Sequence, residues 1–152
     1  MKYYLVEAFT DSLFSGNPAG VCVLDQWPSD EMMQRIAGEN NLPETAFLCK
    51  EEKGWRIRWF TPAFEMDLCG HATLATAFVL TRFYEPEAQI LTFDSRAGQL
   101  TVEKQGDRFC LNFPAARLEE QTVTQQMLDM LGTAPVEAFI ASSLMFVLER
   151  EE

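Results

Sequence analysis

At 152 residues, 47% of them hydrophobic, the chain has the length and composition of one ordinary globular domain with a real core. A net charge of −11 argues against nucleic acid or an anionic membrane as partner, because both demand clustered Lys and Arg. No apolar run approaches the roughly 18 residues of a spanning helix and MKYYLVEAF lacks signal-peptide anatomy, so the expectation is a cytoplasmic, single-domain protein over residues 1–152.

Tyr3 to Phe9 alternates as a strand and leads into a turn-rich stretch, Asp11 to Gly20, that holds Gly16-Asn17-Pro18-Ala19-Gly20. Val21 to Leu24 reads as the second strand. Ser29 is placed to cap a helix with Asp30 and Glu31 in its first turn, and Met32, Met33, Ile36 and Ala37 recur at helical spacing until Asn40-Asn41. Thr45 to Cys49 and Trp55 to Phe60 read as strands paired across Glu51 to Gly54. Trp55, Ile57 and Trp59 share one face of that pair, and Arg56 and Arg58 share the other.

A polar turn then ends in Gly70, and no charged residue follows from Ala72 to Leu80. Apolar residues there cover every side of a helix, which predicts one buried all round. Its first-turn N–H groups have no intrahelical partners and carry the positive end of the helix dipole. An acidic group belongs there, and a glycine at the entrance lets a carboxylate or phosphate come close to the backbone.

Beyond this helix the pattern changes to period 2. Ile90 to Ser95, Leu100 to Lys104 and Phe109 to Phe113 read as strands, the last two joined by a Gln105-Gly106-Asp107 hairpin. Thr124 to Leu131 reads as a short helix stopped by Gly132. Val136 to Ala141 and Leu144 to Leu148 close the chain as strands before Glu149 to Glu152. The result is a strand-rich α+β domain, a strongly curved sheet wrapped around a buried helix.

Few residues are candidates for chemistry. Glu44 is the only acid at the entry of an apolar strand, Asn40-Asn41-Leu42-Pro43-Glu44-Thr45-Ala46-Phe47, and is either a proton-transfer group or a surface turn glutamate. His71, the only histidine, stands where the helix dipole disfavours imidazolium, so a neutral ring serves as a relay or as a structural cap. Cys69 is either a thiolate activated by the same dipole or a buried, inert thiol. Glu65 and Asp67 read as a solvated turn.

Cys22, Cys49, Cys69 and Cys110 are too widely spaced for a Cys-x-x-Cys pattern and read as reduced thiols. A zinc site would have to gather ligands from distant segments around His71, and no metal is expected. No Ser-x-Gly elbow, P-loop or dinucleotide glycine pattern appears.

Four segments in register carry a family resemblance: Phe9-Thr10 with Gly16-Asn17-Pro18-Ala19-Gly20-Val21, then Pro43-Glu44-Thr45-Ala46-Phe47. Phe60-Thr61-Pro62 and Glu65 through Cys69-Gly70-His71-Ala72-Thr73-Leu74-Ala75 complete the set. Across most of residues 1–115 the chain resembles the amino-terminal half of the PhzF family, phenazine-biosynthesis-like isomerases related to diaminopimelate epimerase.

The resemblance implies one diaminopimelate epimerase-like lobe, a curved, mostly antiparallel sheet around a central helix whose N-terminus faces a cofactor-free cleft. It assigns Glu44 and His71 to catalysis, as general acid/base and relay. It assigns Asn17, Gly70, His71 and Ala72 to a small carboxylate-bearing substrate. In diaminopimelate epimerase a catalytic cysteine takes the place of Cys69, here a secondary candidate. Family members run to roughly twice this length, and nothing like their second lobe occurs after Phe113. The expectation is little or no turnover by this chain alone, with self-association, as in a homodimer, completing the cleft. A non-catalytic module that binds small carboxylates or a partner is the alternative.

Overall fold

The structure, a computed structural model, describes residues 1–52 and 54–150. They divide into two compact units, 1–113 and 114–150 of the described chain.

The first unit opens with β1 (Lys2–Ala8), antiparallel to β2 (Asn17–Leu24). The second strand thus starts at Asn17, inside the stretch read as a turn. Turn residues and β-pairing coexist there because Pro18 sits opposite Glu7 near the strand's start. Gly16 just before it leaves no room for a side chain, since a Cβ would stand 2.6 Å from the Ala8 carbonyl oxygen.

Helix α1 (Asp30–Asn40) is capped as expected. Ser29 accepts from the Met32 amide, and Asn41 closes the helix in the left-handed region, φ 49°. It connects β2 to β3 (Glu44–Glu51), which run parallel, and β3 pairs antiparallel with β4 (Gly54–Phe60). The turn of that hairpin includes Lys53, outside the described residues. A two-residue strand, β5 (Glu65–Met66), pairs with the end of β4, where the sequence suggested only a polar turn.

Helix α2 (Gly70–Phe83) then crosses to β6 (Ile90–Ser95), parallel to β4. The unit finishes with β7 (Gly98–Gln105) and β8 (Arg108–Asn112), antiparallel neighbours turning through Gly106 at φ 64°. Strand order is β1-β2-β3-β4-β6-β7-β8, with β5 beside β4. Both parallel pairings are those bridged by a helix, as parallel neighbours require. The sheet is therefore mixed, with antiparallel pairs in the majority.

Strand alternation splits the core between the two helices. Val21, Val23, Ala46, Leu48, Ile57, Trp59, Phe93, Leu100 and Val102 belong to the α2 cluster. Their alternates Cys22, Leu24, Phe47, Cys49 and Phe60 pack with Met33 and Ala37 of α1. With both faces covered, β2 and β3 read as continuous apolar runs.

Most of α2 is buried, and its hydroxyls Thr73, Thr76 and Thr81 bond back to the carbonyls of Cys69, Ala72 and Ala77. The burial is not complete all round, as the sequence suggested. Phe78 is 46% exposed, one turn after the half-buried Leu74. These two residues, with Phe9 and Phe109, line a cavity of about 820 Å³ flanked by β1 and β8, the edge strands of an unclosed half-barrel.

The second unit holds β9 (Glu119–Gln121), not foreseen, then α3 (Gln125–Leu131), β10 (Glu137–Ile140) and β11 (Leu144–Val147). The three strands form an antiparallel sheet in the order β11-β10-β9. Thr124 caps α3, and Gly132 ends it at φ 71°. Among the described residues no helix is long and apolar enough to cross a membrane.

Candidate active site

Three of the sequence candidates converge. Glu44 is the first residue of β3, placed by parallel register beside Ala19 of β2. Cys69 is the N-cap of α2 and His71 its second residue. His71 Nε2 lies 3.4 Å from Glu44 Oε2, and His71 Nδ1 lies 3.5 Å from Cys69 Sγ. The imidazole therefore stands between a thiol and a carboxylate.

Burial decides the state of the sulfur. It pushes the Cys69 thiol up to about 12, the Glu44 charge adds to the shift, and the Ala72 amide opposes it. Cys69 is a thiol rather than a dipole-activated thiolate, so desolvation outweighs the helix dipole here. Sγ and Nδ1 are in hydrogen-bond contact with a direction set by which ring nitrogen carries the proton, and Nε2 faces Glu44. At 3.4 Å the Nε2 to Glu44 contact is long and misaligned, and among the described residues Nε2 has no hydrogen-bond partner although His71 is only 8% exposed.

The start of α2 differs from those of α1 and α3. Ser29 and Thr124 cap those helices through their side chains, whereas Cys69 makes no capping hydrogen bond among the described residues, and α2 also lacks the first-turn acids that α1 has. The amides of Gly70, His71 and Ala72 keep their positive field beside a carboxylate and a histidine. Gly70 is as crowded as it is permissive. A Cβ there would come within 2.9 Å of the Phe113 ring, so Phe113 packs on the approach that the glycine was expected to leave open. Sequence reasoning missed this neighbour, and nothing local to Gly70 announces a side chain so far along the chain.

Asn17 begins β2 on the same face as Ala19, two residues before the partner of Glu44. Among the described residues its side chain makes no hydrogen bond with Glu44, Cys69 or His71. None of those three lines the 820 Å³ cavity, which marks the open seam of the half-barrel.

Asp67 is exposed, as a solvated turn residue should be, but Glu65 is not. Arg58 grips it with Nε on Oε1 at 2.6 Å and an Nη on Oε2 at 2.8 Å, and Arg96 adds a third contact at 2.8 Å. Arg58 also holds Asp30 at 2.8 Å, which keeps that exposed carboxyl below the usual range. The bidentate pair anchors β5 to β4 and so fixes the segment that delivers Cys69 and Gly70.

Residues 6–144 match the PhzC-PhzF family, described as phenazine biosynthesis-like protein. The chain belongs to this family. A relative from Pseudomonas aeruginosa, named an uncharacterized isomerase, is 46% identical over 152 residues, which is all of this chain and 59% of the relative. The crystal structure of a PhzF-family phenazine biosynthesis protein from Enterococcus faecalis is 47% identical with a TM-score of 0.88, matched over 98% of this chain and 57% of its own. At 19% identity, a predicted epimerase from Pseudomonas aeruginosa shares the fold alone, with a TM-score of 0.74 over 92% of this chain and 55% of its own. The PhzC-PhzF chain described here thus spans a little under three-fifths of these proteins.

The thiols give a direct test of the burial. Cys22, Cys49 and Cys69 are buried and Cys110 is exposed. Iodoacetamide at pH 8, read by mass spectrometry, should label Cys110 in the native protein and the other three only after denaturation. Burial also pushes Cys22 up to about 12. Because the unfolded thiols titrate near their ordinary value, stability present below pH 9 is lost as pH rises from there toward 12. Labelling of native Cys69 as fast as Cys110 would contradict the burial that keeps it a thiol.

Proposed function

We infer that this chain is one lobe of an isomerase of the epimerase or racemase type that moves a proton on a carbon of a small carboxylate-bearing metabolite. Glu44 is the general acid/base, His71 relays the proton, and the amides of Gly70, His71 and Ala72 receive the substrate carboxylate, with Asn17 beside them. Cys69 serves as a secondary proton donor through His71. The observation that carries this reading is the approach of Glu44 to His71 at a buried helix start that no side chain caps. The name of a relative, an uncharacterized isomerase, supports it.

The chemistry is self-consistent. Removing a carbon-bound proton develops enolate charge, and fixed amide dipoles at a buried helix start stabilise it without the need of a cofactor. Epimerisation needs donors and acceptors on both faces of the carbon, and one lobe supplies one face. Turnover by this chain alone is accordingly weak, while exchange at a single face persists. Proton NMR in D2O of small amino and unsaturated dicarboxylates incubated with the chain tests this. Deuterium entering next to a carboxylate supports the assignment, and no incorporation by the concentrated protein rejects it.

A second reading is self-association of two such chains, favoured by the exposed apolar side chains Phe9, Leu13 and Phe14, at 73%, 83% and 91%. Sedimentation should then show a dimer at micromolar concentration; a monomer throughout would dismiss it.

A further inference from the structure

We propose that Glu44, His71 and Cys69 also form a site for a thiophilic divalent cation such as Zn2+, which occupies the proton-transfer site and blocks it. Taking one ligand atom from each residue, the three lie within 4.8 Å of one another. The Oε2 to Nε2 distance of 3.4 Å matches the separation between two ligands on one tetrahedral ion, and Sγ stands 3.5 Å from the other ring nitrogen, Nδ1. Zinc bonds of about 2.3 Å to sulfur and about 2.0 Å to nitrogen or oxygen place ligand pairs roughly 3.3 to 3.6 Å apart.

An ion can use only one ring nitrogen, and the one free to bind is Nε2. It belongs to a residue more than nine-tenths buried, faces the Glu44 carboxylate, and has no hydrogen-bond partner among the described residues. An unsatisfied buried nitrogen of this kind gains most from a ligand. Cys69 Sγ, which faces Nδ1, must turn about its side-chain bond to reach the same ion. With the ring proton on Nδ1 and Nε2 on the ion, binding releases the thiol proton to solvent, so that a thiolate and a carboxylate balance the two positive charges of the ion. Three protein ligands leave a fourth position open, as in exchangeable rather than closed structural sites. The net charge of −11 raises the local concentration of cations.

The binding claim stands on ligand geometry alone; only the blocking claim rests on the proton-transfer reading. Co2+ is the probe, because a thiolate ligand gives it a charge-transfer band in the near ultraviolet. The expected result is one Co2+ per chain with that band in the wild type and in Cys110→Ser, and no band in Cys69→Ser. His71→Gln should lower Co2+ affinity at least about tenfold. Glu44→Gln, which preserves shape, should keep the band at weaker affinity, a second reading if Cys69→Ser loses its fold by circular dichroism.

Zn2+ should displace Co2+ and stop deuterium incorporation, with recovery on adding EDTA. Absence of the band in the wild type, its persistence in folded Cys69→Ser, its loss in Cys110→Ser or unchanged affinity in His71→Gln overturns the proposal. Co2+ binding as described without any proton exchange leaves the cation site standing and removes the proton-transfer reading. Exchange without Co2+ binding does the reverse.

Discussion

Glu44→Gln should reduce deuterium incorporation into a carboxylate-bearing carbon acid by about 100-fold to 10,000-fold, the range for loss of a positioned general acid/base. The amide keeps the size of the carboxylate and removes its ability to take a proton. Because Glu44 Oε2 and His71 Nε2 make a long contact rather than an aligned hydrogen bond, the change costs little stability. Activity and fold are thereby separable. Fluorescence-monitored urea unfolding should place the variant within about 1 kcal/mol of the wild type, while NMR in D2O shows the exchange gone. Exchange at the wild-type rate in folded Glu44→Gln would remove Glu44 from the chemistry.

Trp59→Ala should cost about 3 to 5 kcal/mol, a large part of the roughly 5 to 15 kcal/mol that holds a domain together. Trp59 is 1% exposed on β4, beside Ala46 of β3 and Met66 of β5. It belongs to the same apolar cluster as Cys69 and Ala72, so its removal also loosens the bed of the α2 start. Trp59→Phe should behave differently. The indole Nε1 is buried without a partner among the described residues, a condition worth roughly 1 to 3 kcal/mol against the fold. Phenylalanine gives up some volume and relieves that strain, so urea unfolding should find it within about 1 kcal/mol of the wild type. Equal losses in both variants would show that Nε1 is in fact satisfied.

Local patterns were legible where one face or one cap decides them. Ser29 and Gly132 act as read, Thr124 caps the helix it was read to begin, and the alternation of Trp55, Ile57 and Trp59 against Arg56 and Arg58 is the register of β4. Glu44 and the Cys69-Gly70-His71 turn stood out because each breaks an apolar run with a polar group. What pairs with what was harder to see. Glu65 looks like any turn acid until Arg58 and Arg96 close on it. Phe113 meets Gly70 only through the sheet's curvature, and Asn17 looked like loop because glycine and proline flank it. Phe78 remains exposed within an apolar helix because the half-barrel stays open along that side. The opposing pulls on Cys69 were visible in outline, but only burial shows that desolvation wins.

The central claim is that the Glu44 carboxyl and the amides of the α2 start serve one ligand. The most direct test is an NMR titration of the isotopically labelled chain with malonate and succinate, following the Gly70, His71 and Ala72 amides together with the Glu44 side-chain carboxyl carbon. The account predicts that all four move along a single binding curve, with the Phe113 ring signals following as the ring yields its place. Binding that leaves the three amides unmoved, or a Glu44 response with a different midpoint, would contradict it.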